Sequence, residues 1–308
     1  MKFDVIVGNP PYNSGEVTIY HRFVEKAIKL NPDYLTMIIP SRWFATGKGL
    51  DSFRNKIRHE TKISKIVDYP SSKDVFQTVD IAGGVCYFVW EKDYSGRCLF
   101  STEYNKEKIE YVITLFEYPY IIRYPIQRSV VKKVLAKSSR FVSDMVANKT
   151  FDLSTDFMPT GNGNVWLYAN KTQGHIDISE LACIHESFKR YKVIISKAYD
   201  NFRGETQNLV CNRTIVAHPN SAFTNTYRCL YVSDSKELVE NFAVYSRTKF
   251  FKFMMAVLKI TQDISKKTFT YVPEMDMTKK WTDKELYSYF DLNEEEIRFI
   301  EGFVRNRD

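Results

Sequence analysis

Phe3-Asp4-Val5-Ile6-Val7-Gly8-Asn9-Pro10-Pro11-Tyr12 is the stretch that decides the reading of this chain. Val5, Ile6 and Val7 form a short run of β-branched apolar residues, the pattern of a buried strand, and Gly8 and then Pro10-Pro11 bring it to a stop. Ligand sites in open α/β sheets lie at such strand ends. Asn9-Pro10-Pro11-Tyr12 therefore stands where a site is expected. The plain alternative is a rigid turn, because two prolines stiffen any loop.

Outward from this point, residues 20–30 read as an amphipathic helix, with Ile19, Phe23, Ala27 and Leu30 at helical spacing. Asn31-Pro32-Asp33 ends it, and Tyr34-Leu35-Thr36-Met37-Ile38-Ile39 is a second buried strand closed by Pro40. A helix over residues 50–59 and a strand over 63–68 follow. Strands near 75–79 and 83–90 are expected to form an antiparallel hairpin at the edge of the sheet. Strand, helix, strand, helix, strand predicts an α/β fold with a parallel sheet and crossover helices. Farther on, residues 106–117 and 129–138 read as helical, 140–232 as mainly β, 235–259 as one or two helices, and 294–304 as a last helix with an acidic first turn.

The 308 residues suffice for two domains, and 44% hydrophobic with 26% charged residues describes a globular chain and excludes a disordered one. Aromatics make up 15%, most of them needed for the core. Charge is uneven: Lys and Arg exceed Asp and Glu by 8 over residues 131–272, whereas the last 36 residues are net acidic. The middle stretch is the better candidate to face a polyanion. Five cysteines, odd in number and without a CxxC pair, argue against a disulfide framework or a zinc site and for a reducing, cytoplasmic compartment. No apolar run approaches the ~18 residues of a membrane span.

The turn suits one particular chemistry. An exocyclic adenine amine is a poor nucleophile because its lone pair is delocalised into the ring. Two acceptors fixed opposite its two hydrogens favour the pyramidal, attacking form. Asn9 offers its side-chain carbonyl and Pro10 its backbone carbonyl. Pro11 restricts Pro10 to an extended conformation, and Tyr12 offers a π-face to the base. That is preorganised stabilisation combined with alignment of the reactants.

Residues 3–13, FDVIVGNPPYN, resemble the fourth conserved motif of the gamma-type adenine-N6 DNA methyltransferases, in particular the Eco57I-like restriction-modification branch. TIYHRFVEKAIKL resembles the next motif, which implies that Phe23 lies against the adenine of the methyl donor. YLTMIIPSRWF is similar to the strand motif after that. DVFQTVDIAGGVCYFVW resembles the motif whose aromatic residue, here Phe76, stacks on the flipped base from the side opposite Tyr12. The tail, QDISKKTFTYVPEMDMTKKWTDKELYSYFDLNEEEIRFIE, is also similar to the ending of these enzymes.

The resemblance implies S-adenosylmethionine as cofactor and double-stranded DNA as partner. It also implies a partial Rossmann-like methyltransferase sheet over residues 1–130 and a mixed α+β target-recognition region over 131–308. Lys189, Arg190, Lys192, Lys197, Arg203 and Arg213 are candidate DNA contacts there. Arg42 and Trp43, just past Pro40, are candidates to line the site, packing being the plainer role for Trp43.

No glycine-containing turn of the donor-binding type precedes Asn9, and Gly83-Gly84 and Gly161-Asn162-Gly163 do not replace it. The first strand is then expected to present an unpaired apolar edge. Three readings stay open: a fragment of a longer gene product, a separate polypeptide (an N-terminal methyltransferase half or a restriction subunit) that completes the enzyme, or a non-catalytic DNA-binding specificity module. An RNA or ribosomal-protein methylase is a further alternative, since such a turn serves other amino acceptors.

Overall fold

β1 (Val5–Gly8) enters the turn, a small hairpin of β2 (Asn13–Ser14) and β3 (Val17–Thr18) follows, and α1 (Tyr20–Lys29) carries the chain back to β4 (Tyr34–Pro40). β1 and β4 are parallel neighbours, Val5 opposite Tyr34 and Gly8 opposite Met37. Parallel strands require such a crossover, because a tight turn cannot join them. This computed structural model describes residues 3–104, 106–147, 150–198 and 210–304. The chain divides into two compact units, Met1–Arg128 and Ser129–Asp308.

The first unit is α/β, as the sequence predicts. After α2 (Asp51–Arg58) come β5 (Ile63–Tyr69), β6 (Val85–Glu91), β7 (Cys98–Tyr104) and β8 (Glu107–Ile113). The sheet order is β1-β4-β6-β5-β7-β8. β6 runs antiparallel to both β4 and β5, β5 is parallel to β7, and β7 and β8 form a hairpin.

Three expectations are corrected. β6 sits inside the sheet and not at its edge. Residues 75–82 form an irregular loop rather than a strand. Residues 107–113 are a strand and not a helix, because Ile109, Tyr111 and Ile113 alternate along the hairpin arm and Lys106, at φ 67°, supplies the reversal.

The core face of α1 is also shifted. Tyr20, Val24 and Ala27 are buried, whereas Phe23 is 41% exposed. Two apolar stripes cross at Ala27, and only one meets the sheet. Along β4, Leu35, Met37 and Ile39 point into the core together with Phe88 and Trp90 of β6. On the opposite face Tyr34 is exposed and Thr36, Ile38, Tyr87 and Val89 are half-buried.

In the second unit, α3 (Pro125–Lys137), in which the division falls, and α4 (Val142–Met145) precede two three-stranded sheets. β9 (Val165–Ala169) lies between β10 (Thr172–Ile176) and β13 (Ser221–Phe223). β11 (Tyr191–Ser196) lies between β12 (Ile215–Ala217) and β14 (Tyr227–Ser233). Their inward side chains, among them Leu167, Ile194 and Phe223, share one core with Phe151 from the preceding loop.

Helices α5 (Lys236–Tyr245), α6 (Lys249–Ala256), α7 (Asp283–Tyr289) and α8 (Glu294–Phe303) follow. Asn293 and Glu296 form a reciprocal capping box at the start of α8. The same Glu296 carboxylate accepts from Ser129 at 2.6 Å and Lys133 at 2.7 Å, fastening α3 to the tail.

Candidate active site

Pairing of β1 ends at Gly8, so Asn9 to Tyr12 leave the sheet at the carboxyl end of a strand. Prolines 10 and 11 have no N–H to offer a ladder. The Ile19 amide donates to the Tyr12 carbonyl at 3.0 Å and closes the loop onto the start of α1. The Tyr12 ring then meets Tyr20 edge-on, with centroids 6.4 Å apart, and Tyr20 is itself buried against Phe53. The turn rests on packed aromatic rings.

Beside it opens a cavity of about 620 Å³, within the range of small-ligand sites. One wall is Asn9, Pro10, Pro11 and Tyr12. The end of β4 contributes Pro40, the turn after it Arg42, and the 75–82 loop Phe76, Val79 and Asp80. The structure thus brings the predicted residues Asn9, Pro10, Pro11, Tyr12 and Phe76 to one cavity. Phe23 is not among its lining residues and stands exposed on α1.

No described residue hydrogen-bonds to the Asn9 side chain or to the Pro10 carbonyl, so both oxygens remain available to a ligand. Burial pushes the Tyr12 phenol up to about 12. It stays neutral at ordinary pH and offers its ring without a charge.

The loop bearing Phe76 is pinned from several directions. Ser72 Oγ donates to the Val79 carbonyl at 3.0 Å and accepts from the Ile81 amide at 2.8 Å. The Phe76 amide donates to the Ser72 carbonyl at 2.7 Å. Gly84 closes the loop at φ +79°, where an added Cβ would lie 2.1 Å from the Tyr69 carbonyl oxygen. Only glycine fits there.

Beneath the loop lies the buried carboxylate of Asp68, which accepts from Ser41 Oγ at 2.7 Å and Thr102 Oγ1 at 3.2 Å. Arg123 Nε lies 2.9 Å from the same carboxylate, and Arg123 also donates to the Gly83 carbonyl. Burial pushes the Asp68 carboxyl up, against the opposing pull of Arg123. Sequence reasoning missed this brace. Its signal was a lone aspartate in the apolar strand 63–69, since a buried charge needs a partner.

Trp43 is a core residue against Phe44 and Phe53. In the second unit Lys189, Lys197 and Arg213 are exposed, and Arg190 lies 3.0 Å from Asp234. Lys192 is corrected: it is fully buried and donates to the carbonyls of Arg190 and His218, so it is not a surface contact. Arg203 lies outside the described residues. Among the described residues no helix is long and apolar enough to cross a membrane.

The model of the Eco57I restriction-modification methylase family matches residues 1–76. A Mycoplasma pneumoniae protein described as an uncharacterized adenine-specific methylase is 40% identical over 117 residues, covering 35% of this chain. The chain spans 28% of that relative's length.

Among solved structures, the type IIL restriction-modification enzyme MmeI in complex with DNA aligns at TM-score 0.45 and 9% identity, over 99% of this chain and 55% of that one. The type IIG restriction endonuclease BpuSI aligns at TM-score 0.37 and 11% identity, over 97% and 48%. A type I methyltransferase subunit from Streptococcus thermophilus aligns at TM-score 0.28 and 16% identity, over 37% and 29%. Likenesses this weak do not fix a fold, and the sequence match is the stronger finding: over residues 1–76, the chain is similar to the Eco57I restriction-modification methylases.

Proposed function

We propose that this chain is the base-holding and DNA-reading part of a site-specific adenine-N6 DNA methyltransferase of a restriction-modification system. The observation that carries this reading is one cavity lined by Asn9, Pro10, Tyr12 and Phe76, in which no described residue engages the Asn9 side chain or the Pro10 carbonyl. An adenine turned out of the duplex enters between Tyr12 and Phe76. The Asn9 side-chain oxygen and the Pro10 carbonyl accept its two amine hydrogens and concentrate the lone pair on nitrogen. Both acceptors are in place beforehand, so little reorganisation opposes the reaction.

The match to a methylase family implies a methyl donor, and S-adenosylmethionine, when bound, supplies an electrophilic methyl carbon. The exposed ring of Phe23 fits the role of a stacking face for the donor's adenine. Residues 1–130 hold the base, and residues 131–308 supply phosphate and base-edge contacts, with Lys189, Lys197 and Arg213 as exposed cations. The setting is the cytoplasm, where double-stranded DNA is the partner.

A second polypeptide segment, an N-terminal methyltransferase half or a restriction subunit, completes the enzyme. The outer edge of β1 is unpaired among the described residues, and its Val5 and Val7 are 56% and 73% exposed. Such an edge is a template for a further strand.

The test is Asn9→Ala in the enzyme reconstituted with its donor-binding part. Removing one preorganised partner is expected to lower the transfer rate by about 10²–10³ while duplex binding stays near its original strength. Methylation at an undiminished rate would refute the role of the turn.

A further inference from the structure

Seven arginines lie in the first unit, and most are engaged internally. Arg54 donates to the carbonyls of Trp43 and Thr46, both at 2.6 Å. Arg58 and Arg97 donate to the carbonyls of Phe116 and Val112. Arg123 is paired with Asp68 and Arg128 with Glu117, whereas Arg22 is solvated on the surface of α1.

Arg42 belongs to neither group. It is half-buried, it lines the cavity, and its guanidinium makes no hydrogen bond or ion pair with any described residue. Among the described residues lining the cavity it is the only cation, and Asp80 the only anion.

The backbone beneath this side chain is firmly held. Pro40 precedes the 3-10 turn Ser41–Phe44, the Thr46 amide donates to the Arg42 carbonyl at 2.9 Å, and Arg54 ties down the Trp43 and Thr46 carbonyls that follow. A guanidinium withdrawn partly from water loses hydration, and an unpaired charge in that position is unfavourable. A rigid base carrying an unpaired cation into a cavity is an arrangement that an incoming anion completes.

We propose that Arg42 grips a phosphate next to the extrahelical adenine, an inference that rests on the reading of the cavity as a base pocket. A nucleotide rotated out about its backbone brings its flanking phosphates to the pocket mouth while the base fills the interior. The planar guanidinium fork matches two phosphate oxygens at once. Arg42 then holds the nucleotide by its backbone, whereas Asn9 and Pro10 read its amine. The carboxylate of an amino-acid methyl donor has related chemistry, and the experiment separates the two sources.

The full chain is titrated, by fluorescence anisotropy at several salt concentrations, with a duplex carrying one unpaired adenine. A second duplex has neutral methylphosphonates replacing the phosphates on either side of that adenine. Arg42→Met is expected to weaken binding of the first duplex about tenfold or more. It is also expected to reduce the slope of log affinity against log salt by about 1. The neutral linkages are expected to cost the wild type a similar factor and the variant almost nothing, and Arg42→Lys to recover part of the loss. Unchanged melting of Arg42→Met shows that folding is not the cause.

An equal methylphosphonate penalty in both proteins, or an unchanged salt slope, overturns the proposal. So does a variant that binds DNA normally but loses affinity for S-adenosylmethionine, which would assign Arg42 to the donor. Asn9→Ala in the same assay tests the underlying reading on its own. If its preference for an unpaired adenine over an unpaired thymine persists, the base-pocket reading fails whatever Arg42 does. A chain that binds neither duplex at low salt overturns both.

Discussion

Lys192 occupies the interior of β11, between Tyr191 and the apolar run Val193-Ile194-Ile195, and its ammonium reaches the carbonyls of Arg190 and His218, both at 3.1 Å. Burial lowers its pKa from 10.5 to about 8. Below about pH 8 the lysine is charged in both folded and unfolded chains, and its burial opposes folding in full. As pH rises from 8 to 10.5, the folded lysine releases its proton while the unfolded one keeps it, so stability rises. The whole window is worth about 3 kcal/mol at ~1.4 kcal/mol per pH unit. The Cys229 thiol, pushed up to about 12, stays neutral throughout. Lys259, also lowered to about 8, gives a similar rise. Lys192→Met is therefore expected to show about half the wild-type gain in denaturant stability between pH 8 and 10.5, and an identical gain would contradict the assignment. Composition made residues 131–272 a candidate basic face, yet a count of lysines does not say which of them face water. The four-residue turn differs, because Asn9-Pro10-Pro11-Tyr12 is picked out by the order of its residues at a strand end, and all four line the cavity.

The 70–84 loop shows how a segment without regular structure is fixed as firmly as a strand. Its far end hangs on the Gly83 carbonyl, which Arg123 holds while paired with Asp68. Arg123→Met would leave the Asp68 carboxylate buried without its cation, a loss of about 3–5 kcal/mol. Pairing it with Asp68→Leu is expected to restore much of that stability, because two apolar side chains tolerate the site better than one orphaned charge. Urea denaturation of the two variants checks this, and a double variant no more stable than the single one would show that the pair does not act as a unit. The β1–α1–β4 unit was legible because each apolar run is bounded by Gly or Pro and the connection is too long for a hairpin. The place of β6 between β4 and β5 was not legible, because strand order depends on pairings distant in sequence. Within the loop, residues 75–79 read as a strand because Val75 and Val79 look β-like, whereas Ser72 satisfies backbone groups at Val79 and Ile81 that a ladder would otherwise need.

At the scale of the whole chain, the two edges of the six-stranded sheet are treated in opposite ways. β8, at one end, carries Glu107, Lys108 and Glu110, with Lys108 and Glu110 paired at 2.8 Å. Charges of this kind discourage a further strand from pairing. β1, at the other end, is Val5-Ile6-Val7-Gly8 and carries no charge. Register places Val5 beside Tyr34 and Val7 beside Thr36, so the exposed valines continue the less covered face of the sheet. One edge is protected and the other is open to pairing. An apolar edge of this sort associates with whatever strand is available, and for the chain alone that is a second copy. Sedimentation velocity of the full chain is expected to show concentration-dependent association, and Val7→Lys to weaken it about tenfold or more by placing a charge at the edge. The same variant is expected to weaken assembly with the proposed donor-binding segment, since both partners would compete for the same backbone groups. If Val7→Lys and the wild type sediment alike and assemble alike, the β1 edge is not an association surface of this chain.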